Sequence, residues 1–515
     1  MKTLKLGTRR SALAWAQSSW VAREIEKKNP GIKVELVGIE TQGDRIVDIP
    51  LRQVEGKEFF SAEIDQALLR GDVQLTVHSL KDLSLERPKG LRLAATPKRA
   101  DPRDVILFGP RTAEKLAQHR PLKIGTSAPR RLENLPIFLQ KALPHGREVK
   151  FDWIEIRGNV DTRLRRLLEA EGSEKFLDGV VLSLAGLTRL WMDHEEFSSG
   201  HKKLEQLLRG MRWLVLPLSQ CPTAPGQGSL AIECREDDQV SYDAIHRLHD
   251  SASFDQIATE RAVLGEFGGG CHQRFGATQV SLPECGDALW IKGRAMDGKV
   301  LDEFRWKARP IPVSGSVIAW DGTQAKCFNQ RFLKDAQALK SGLLSDAVFI
   351  AHSRALPDGA ASLLGASRVW TSGTRSWFTL AEKGVWVEGC AEGLGFESIR
   401  PLLKEAVLQL PAISKWRVLT HKDAEESWNE AQVVATYSLE PRKEAVEGFS
   451  RQTTHVFWNS GSQFLFLGAN VPATAQHSCG PGKTAQLLRE KGIRNLTVFP
   501  SVKEWRKWLK IPDVE

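Results

Sequence analysis

Leu75-Thr76-Val77-His78-Ser79-Leu80-Lys81-Asp82-Leu83 sets a short apolar run against a polar turn. The apolar run reads as a strand, and the residues after it place a lysine and a carboxylate where that strand ends. Open α/β sheets gather their ligands in the crevice beyond the carboxyl ends of the strands. One stretch therefore carries an expectation about the fold and another about a site. There Asp82 could protonate a leaving amine or balance a cationic intermediate. A plain structural role, capping the next helix, is the competing reading.

The alternation continues outward. Val34-Glu35-Leu36-Val37-Gly38-Ile39 reads as a strand and Ala12 to Lys27 as a helix. Continued to about residue 235, the pattern predicts α/β layers with mainly parallel sheets. From about 240 to 315 the chain reads as a smaller α+β unit, with a helix around Asp255 to Phe267 and a strand over Ala288-Leu289-Trp290-Ile291-Lys292. Pro310-Ile311-Pro312 marks its exit.

Beyond residue 320 tryptophans become frequent and an internal echo emerges. Ser372-Gly373-Thr374-Arg375-Ser376 leads to Leu380-Ala381-Glu382-Lys383-Gly384, and Gly480-Pro481-Gly482-Lys483-Thr484 leads to Leu488-Arg489-Glu490-Lys491-Gly492. Each predicts a glycine-containing turn, a Ser or Thr able to cap, a helix and a glycine stop. Two related α/β lobes account for the echo, and so does chance similarity between capped helices.

A length of 515 residues exceeds one core and predicts roughly three or four domains. Met1 to Arg10 has no apolar core of the secretory kind, and no run of about 18 uncharged apolar residues follows. The seven cysteines include no C-x-x-C pair, which fits neither a disulfide framework nor a zinc knuckle. A reducing cytoplasm is the expected location, without a membrane partner or a resident metal. The net charge of +9 invites a nucleic-acid reading. However, the basic residues are spread along the whole chain and no nucleic-acid-binding motif stands out. A polyanionic small molecule is the better use for arginines, whose planar fork binds carboxylates bidentately.

Those arginines sit in turns beside small polar residues: Thr8-Arg9-Arg10-Ser11, Gly125-Thr126-Ser127-Ala128-Pro129-Arg130-Arg131, Arg157-Gly158-Asn159 with Arg163, and Arg189 after Ala185-Gly186-Leu187. Several lie where a strand gives way to a helix start, where free backbone N–H groups favour an anion. Any one of them reads equally as solvated surface charge. Their repetition points to one shared anionic ligand. Gly268-Gly269-Gly270-Cys271-His272 presents a thiol on a backbone that admits something bulky; adjacent cations could make it nucleophilic, and a tight turn with an inert cysteine is the alternative.

Taken in order, these segments resemble hydroxymethylbilane synthase (porphobilinogen deaminase) over residues 4 to about 315. The carriers are Gly7-Thr8-Arg9-Arg10-Ser11-Ala12-Leu13-Ala14, Thr41-Gln42-Gly43-Asp44, Val77-His78-Ser79-Leu80-Lys81-Asp82, Asp101-Pro102-Arg103-Asp104, Arg157-Gly158-Asn159-Val160, Ala224-Pro225-Gly226-Gln227-Gly228 and Gly269-Gly270-Cys271. The resemblance implies two lobes like those of type II periplasmic binding proteins, formed by 1–97 with 208–235 and by 98–207. A small α+β domain over 236–316 would carry one covalent dipyrromethane per chain, as a thioether on Cys271.

The implied reaction condenses four porphobilinogens, each losing ammonia through an azafulvene, and water then frees linear hydroxymethylbilane. Asp82 would hold the pyrrole N–H groups and support the cationic intermediates. Lys81, Ser127, Arg130 and Arg131, with Asp82, would hold the cofactor. Arg9, Ser11, Lys57, Ser79, Thr126, Arg157, Arg163 and Arg189 would bind substrate carboxylates. A monomer is expected. The chain departs from the family at Lys57-Glu58-Phe59-Phe60, usually Lys-Gly-Leu-Phe, at Gln53, usually lysine, and at Lys81-Asp82-Leu83-Ser84, where the fourth residue is usually proline. These departures bear on rate and loop closure.

Residues 320–515 resemble uroporphyrinogen-III synthase through Val433-Val434-Ala435-Thr436-Tyr437-Ser438, Val456-Phe457-Trp458-Asn459-Ser460-Gly461-Ser462 and Cys479-Gly480-Pro481-Gly482-Lys483-Thr484-Ala485. That family has two α/β lobes and no cofactor, and this region is short for it. Tyr437 matches a tyrosine that assists loss of the terminal hydroxyl; a buried core tyrosine is the other reading. Two alternatives stay open, a deaminase whose C-terminal region is an interaction domain, and a non-enzymatic binder of small anions.

Overall fold

A computed structural model describes residues 2–41, 61–192, 198–267, 273–282, 284–308, 310, 316–323, 326–340, 345–428, 430–447, 450 and 452–512. The chain divides into two compact units. The first comprises Met1–Gln140, His145–Gln279 and Leu289–Phe304, and the second Lys141–Pro144, Val280–Ala288 and Arg305–Glu515.

The first unit holds strands β1 (Lys2–Arg9), β2 (Ile32–Ile39), β3 (Leu75–Ser79), β4 (Leu91–Ala95), β5 (Asp104–Phe108), β6 (Leu122–Gly125), β7 (Phe151–Ile154), β8 (Gly179–Ser183), β9 (Arg212–Val215) and β10 (Leu230–Arg235). They form two five-stranded sheets of one plan, β2-β1-β3-β10-β4 and β7-β6-β8-β5-β9. In each, three strands run parallel while one strand, β10 or β5, is antiparallel to both its neighbours. The sheets are thus more mixed than strand–helix alternation predicts. The reason is that the chain crosses between lobes twice, after β4 and after β9, and each crossing inserts its strand against the local direction. β9 pairs with β5, so the return to the first sheet falls after residue 215 rather than at 208.

Local chemistry explains the elements. The helix Ala12–Lys28 starts at Ser11, whose hydroxyl accepts from the Ala14 amide at 3.3 Å, and ends at Asn29, whose side-chain amide donates to the Ile25 carbonyl at 2.8 Å. Its Val21 and Ile25 meet Leu4, Leu6, Leu75, Val77, Leu230 and Ile232 in the core of the first lobe. The helix predicted from Asp255 begins earlier, at Ser251, because Asp250 caps it by accepting from the Ser253 amide. It packs Val263 with Phe275, Ala277, Leu289, Ile291 and Leu301. Strands β11 (Arg274–Leu282), β12 (Gly286–Arg294) and β13 (Val300–Trp306) form a three-stranded sheet in that order. Of the predicted exit, Ile311 and Pro312 lie outside the described residues.

The second unit adds β14 (Ala319–Trp320), β15 (Phe328–Phe332), β16 (Ala347–Ile350), β17 (Arg368–Thr371), β18 (Val387–Cys390), β19 (Arg417–His421), β20 (Gln432–Pro441), β21 (His455–Trp458), β22 (Gln476–Cys479) and β23 (Leu496–Val498). Their sheets run β15-β20-β19-β16-β17-β18 and β14-β21-β22-β23. The echo is structural: the helix Thr374–Glu382 links parallel β17 and β18 as Lys483–Glu490 links parallel β22 and β23. A further helix follows each, Phe396–Leu403 and Val502–Leu509. The expected Ser or Thr caps are absent from both repeated helices. Gly373 and Gly482 hold the N-cap positions and make no side-chain cap bond. No helix among the described residues is long and apolar enough to cross a membrane.

Candidate active site

The two crossings in the first unit meet at Gln227. Its flanking glycines are dictated by space as well as by conformation. Gly226 and Gly228 have φ of +78° and +90°, and a Cβ would lie 2.6 Å from Leu80 Cδ2 at the first and 2.5 Å from the Ala100 carbonyl oxygen at the second. So held, Gln227 donates from Nε2 to the Pro102 carbonyl at 2.7 Å and to Asp104 Oδ1 at 2.8 Å. Its Oε1 accepts from Lys81 Nζ at 3.3 Å and Arg130 Nη2 at 3.2 Å.

Asp104 is the anion at the centre. It accepts from Arg130 Nη1 at 2.7 Å and from Arg131 Nη2 at 2.7 Å and Nε at 3.1 Å, while Arg131 Nη1 reaches the Val181 carbonyl at 3.0 Å. Burial alone would raise the Asp104 carboxyl, but the two guanidiniums overwhelm it and hold the group well below the usual carboxylate range. Both arginines begin the helix Pro129–Ala142, directly after β6. In the intervening turn Thr126 Oγ1 accepts from the Ala128 amide at 3.3 Å, and Ser127 is half-buried.

Asp82 is exposed on the one-turn helix Leu80–Asp82 that ends β3. The next regular element is a strand, β4, so Asp82 caps no following helix. Burial lowers the Lys81 ammonium from its ordinary value, against the opposing effect of Asp82. Arg261, from the helix Ser251–Glu266, holds the turn by donating to the carbonyls of Leu80 at 3.3 Å, Leu83 at 3.2 Å and Ser84 at 2.8 Å. Cys271 and Lys57 lie outside the described residues.

The remaining predicted cations converge on the same lobes. Arg9 ends β1 and acts electrostatically on His78. Arg163 donates to the Gly158 carbonyl at 2.8 Å. Burial, then the positive charges of Arg131 and Arg157, lower it to about 10. Arg189 donates to the Gly228 carbonyl at 2.6 Å, and burial lowers it to about 10. Ser11 is engaged as a helix cap, and Ser79 Oγ accepts from the Gln17 side-chain amide at 3.1 Å. A ligand of several carboxylates suits this set: the charges acting on Arg163 are themselves positive, so an added anion favours the charged form. Asp104 and Gln227 lie inside motifs the sequence presents, yet their roles depend on partners 26 to 146 residues away in the chain.

In the second unit, Tyr437 is buried on β20, its ring 5.8 Å from His421 on β19. Burial raises its phenol, and Arg354 opposes that. Arg354 donates from its amide and its Nε to His352 Nδ1, both at 3.1 Å. Burial, with Arg354 and Arg375, lowers that imidazole to about 4. These groups cluster at the carboxyl ends of β16, β17 and β19, where His421 pairs with Tyr437 in the middle of β20. Sequence reading singles out Tyr437 as a site residue but none of its charged companions, Arg375 being read only as part of a helix-opening turn. A cavity of about 480 Å³, lined by Ser345, Asp346, Lys415, Arg417 and Gln432 among others, opens at the amino-terminal ends of the same sheet.

Residues 4–243 match the family model described as porphobilinogen deaminase, dipyromethane cofactor binding domain. The porphobilinogen deaminase of Trichlorobacter lovleyi is 40% identical over 300 residues, 58% of this chain and 85% of the relative. That of Geotalea uraniireducens is 38% identical over 347 residues, 66% of this chain and 93% of the relative. Solved structures with some likeness include the methionine-binding protein MetQ, 14% identical over 50% of this chain and 94% of that one, at a TM-score of 0.26. Another is a mutant uroporphyrinogen III synthase from Thermus thermophilus, 13% identical over 36% of this chain and 87% of that one, at 0.24. TM-scores that low carry no argument about fold.

Proposed function

The chain belongs to the porphobilinogen deaminase family, and from that premise we propose that it is a hydroxymethylbilane synthase, condensing four porphobilinogens with loss of ammonia at each step. The cofactor of this family's domain is a dipyrromethane, and Cys271 is the proposed attachment point. The lattice joining Lys81, Gln227, Asp104, Arg130 and Arg131 beside exposed Asp82 is the observation that carries this reading.

When bound, the dipyrromethane supplies the carbon nucleophile that starts the chain. Lys81, Ser127, Arg130 and Arg131 hold its carboxylates, the two arginines being fixed in orientation by Asp104 and therefore preorganised. Arg9, Ser11, Lys57, Ser79, Thr126, Arg157, Arg163 and Arg189 bind the acetate and propionate groups of incoming porphobilinogen. Asp82 gives its proton to the departing amine and, once ionised, balances the positive charge developing on the pyrrole ring. A positioned acid of this kind contributes about 10²–10⁴-fold to rate. Intact mass after exposure to porphobilinogen tests the reading: the full chain carries a dipyrromethane and Cys271→Ala does not. An unmodified thiol in active protein refutes it.

The second unit is proposed to be a uroporphyrinogen-III synthase that closes the released hydroxymethylbilane, with Tyr437 assisting loss of the terminal hydroxyl. Its duplicated lobes, and the cluster of Arg354, Arg375, His352 and Tyr437 at one sheet end, favour this over an interaction domain. Tethering raises the effective concentration of the second site around the first site's product. Incubation with porphobilinogen alone, followed by oxidation and separation of uroporphyrin isomers, decides it: isomer III supports the synthase and isomer I leaves a deaminase alone.

A further inference from the structure

Five residues past Asp82, Arg87 is fastened into the interior of the first lobe. Its Nε donates to Glu233 Oε1 at 2.8 Å, and its Nη2 donates to Glu233 Oε2 at 2.8 Å and to Asp65 Oδ1 at 2.6 Å. Glu233 on β10 is wholly buried and Asp65, on the helix Ala62–Arg70, is 3% exposed. His78 on β3 brings Nε2 to 3.6 Å from Glu233 and 3.9 Å from Asp65. Burial lowers this imidazole to about 4, so it is neutral near pH 7 and Arg87 is the cation shared by the two carboxyls, of which burial raises that of Asp65. The ligand atoms of Asp65, His78 and Glu233 lie within 4.8 Å of one another. A cation could sit among them, but the guanidinium already fills that role.

Residues 83–90 carry no regular structure between the Asp82 turn and β4. Such a segment on a surface needs no buried anchor, and a two-pronged guanidinium bond at this depth restricts it strongly. Arg261 pins the carbonyls at the near end, and Arg87 pins the far end. We propose that Arg87 is a positioning residue for Asp82, fixing the outgoing end of the turn so that the carboxyl is presented at one place over the cleft. The proposal rests on Asp82 acting in the reaction above.

Arg87→Lys keeps the charge and loses the fork. In the full chain kcat for porphobilinogen consumption falls about ten- to a hundredfold, because small misplacements of a reacting group cost that much, while KM is unchanged. Leu83 is extended, at φ −88° and ψ 132°, the conformation a residue before proline requires. Adding Ser84→Pro to Arg87→Lys therefore restores most of the lost kcat without restoring Tm. Should Arg87→Lys fail to fold, Arg87→Met combined with Asp65→Asn and Glu233→Gln removes the clamp without stranding a buried charge, and the same kcat loss and rescue are expected. Unchanged kcat in folded variant, or a loss that Ser84→Pro leaves in place, overturns the proposal. Asp82→Ala separates the two claims. If it turns over normally, the Asp82 reading fails and takes this one with it; if it is inactive while Arg87→Lys is normal, only the Arg87 proposal falls.

Discussion

Each unit holds two α/β sheets, yet the two fill their interiors differently. The first buries a charged lattice: Asp65, Asp104, Arg130, Arg131, Glu233 and Glu260 are all below a tenth exposed. The second buries one comparable ion pair, Arg506 with Asp321, and mostly aromatic bulk: the largest fully buried side chains among the described residues, Trp370, Trp377, Trp416, Trp458 and Trp505, all belong to it. A buried charge tolerates few replacements, because removing one partner strands the other. An apolar core accepts volume-conserving swaps at small cost. Lattices accordingly leave dense motifs in a sequence, and apolar packing leaves a pattern.

The sharpest way to break this contrast is at the turn that carries Asp82, proposed above as catalytic. Asp82→Ala is expected to lower porphobilinogen turnover by about 10²–10⁴-fold while the rate at which the same protein converts supplied hydroxymethylbilane to isomer III is unchanged. Loss of both activities would mean that the units are not independent.

Asp104→Asn comes next, leaving Arg130 and Arg131 buried without their anion. We expect a loss of about 3–5 kcal/mol from the first unit, read by denaturant unfolding with hydrogen exchange assigning the change to residues of that unit.

Acid acts more gradually. Folding depresses the imidazoles of His78 and His352, each to about 4, so the unfolded state binds more protons and stability rises with pH. Their contribution is complete above about 6.5 and is lost as pH falls through about 4. His78→Asn and His352→Asn should each flatten the slope in its own unit, and equal slopes in wild type and variants would refute the assignment.

The smallest effect tests the aromatic interior. Lys483 lies 3.4 Å over the Trp428 ring, and Lys483→Met should cost about 0.5–1 kcal/mol by thermal unfolding. A loss several times larger would mean that Lys483 contributes more to that unit than a ring contact.

What could be read from the sequence follows the same division. The strand at Leu75, the helix from Ala12 and the cationic turns were legible because local periodicity and turn chemistry encode them. The place of β9 was not, since Trp213-Leu214-Val215 is as apolar for one sheet as for the other and only pairing decides. Asp104 and Gln227 stand in quoted motifs, but their work is done by partners that no spacing reveals. The capping expectation at Thr374 and Thr484 failed because the chain enters those helices at the preceding glycines, with no side chain to cap. Asp65, Arg87 and Glu233 lie in unrelated segments and become one group only when β10 returns between β3 and β4.

That return has a consequence for how the protein is made. The second lobe, residues 104 to 215, is continuous in the chain, whereas the first is split between residues 2 to 95 and 230 to 235. Emerging from the ribosome at about 5–20 residues per second, the later lobe has every strand it needs while the earlier one still lacks β10. The amino-terminal lobe must wait, its sheet open between β3 and β4 and Arg87 without Glu233, until the lobe synthesised after it is complete.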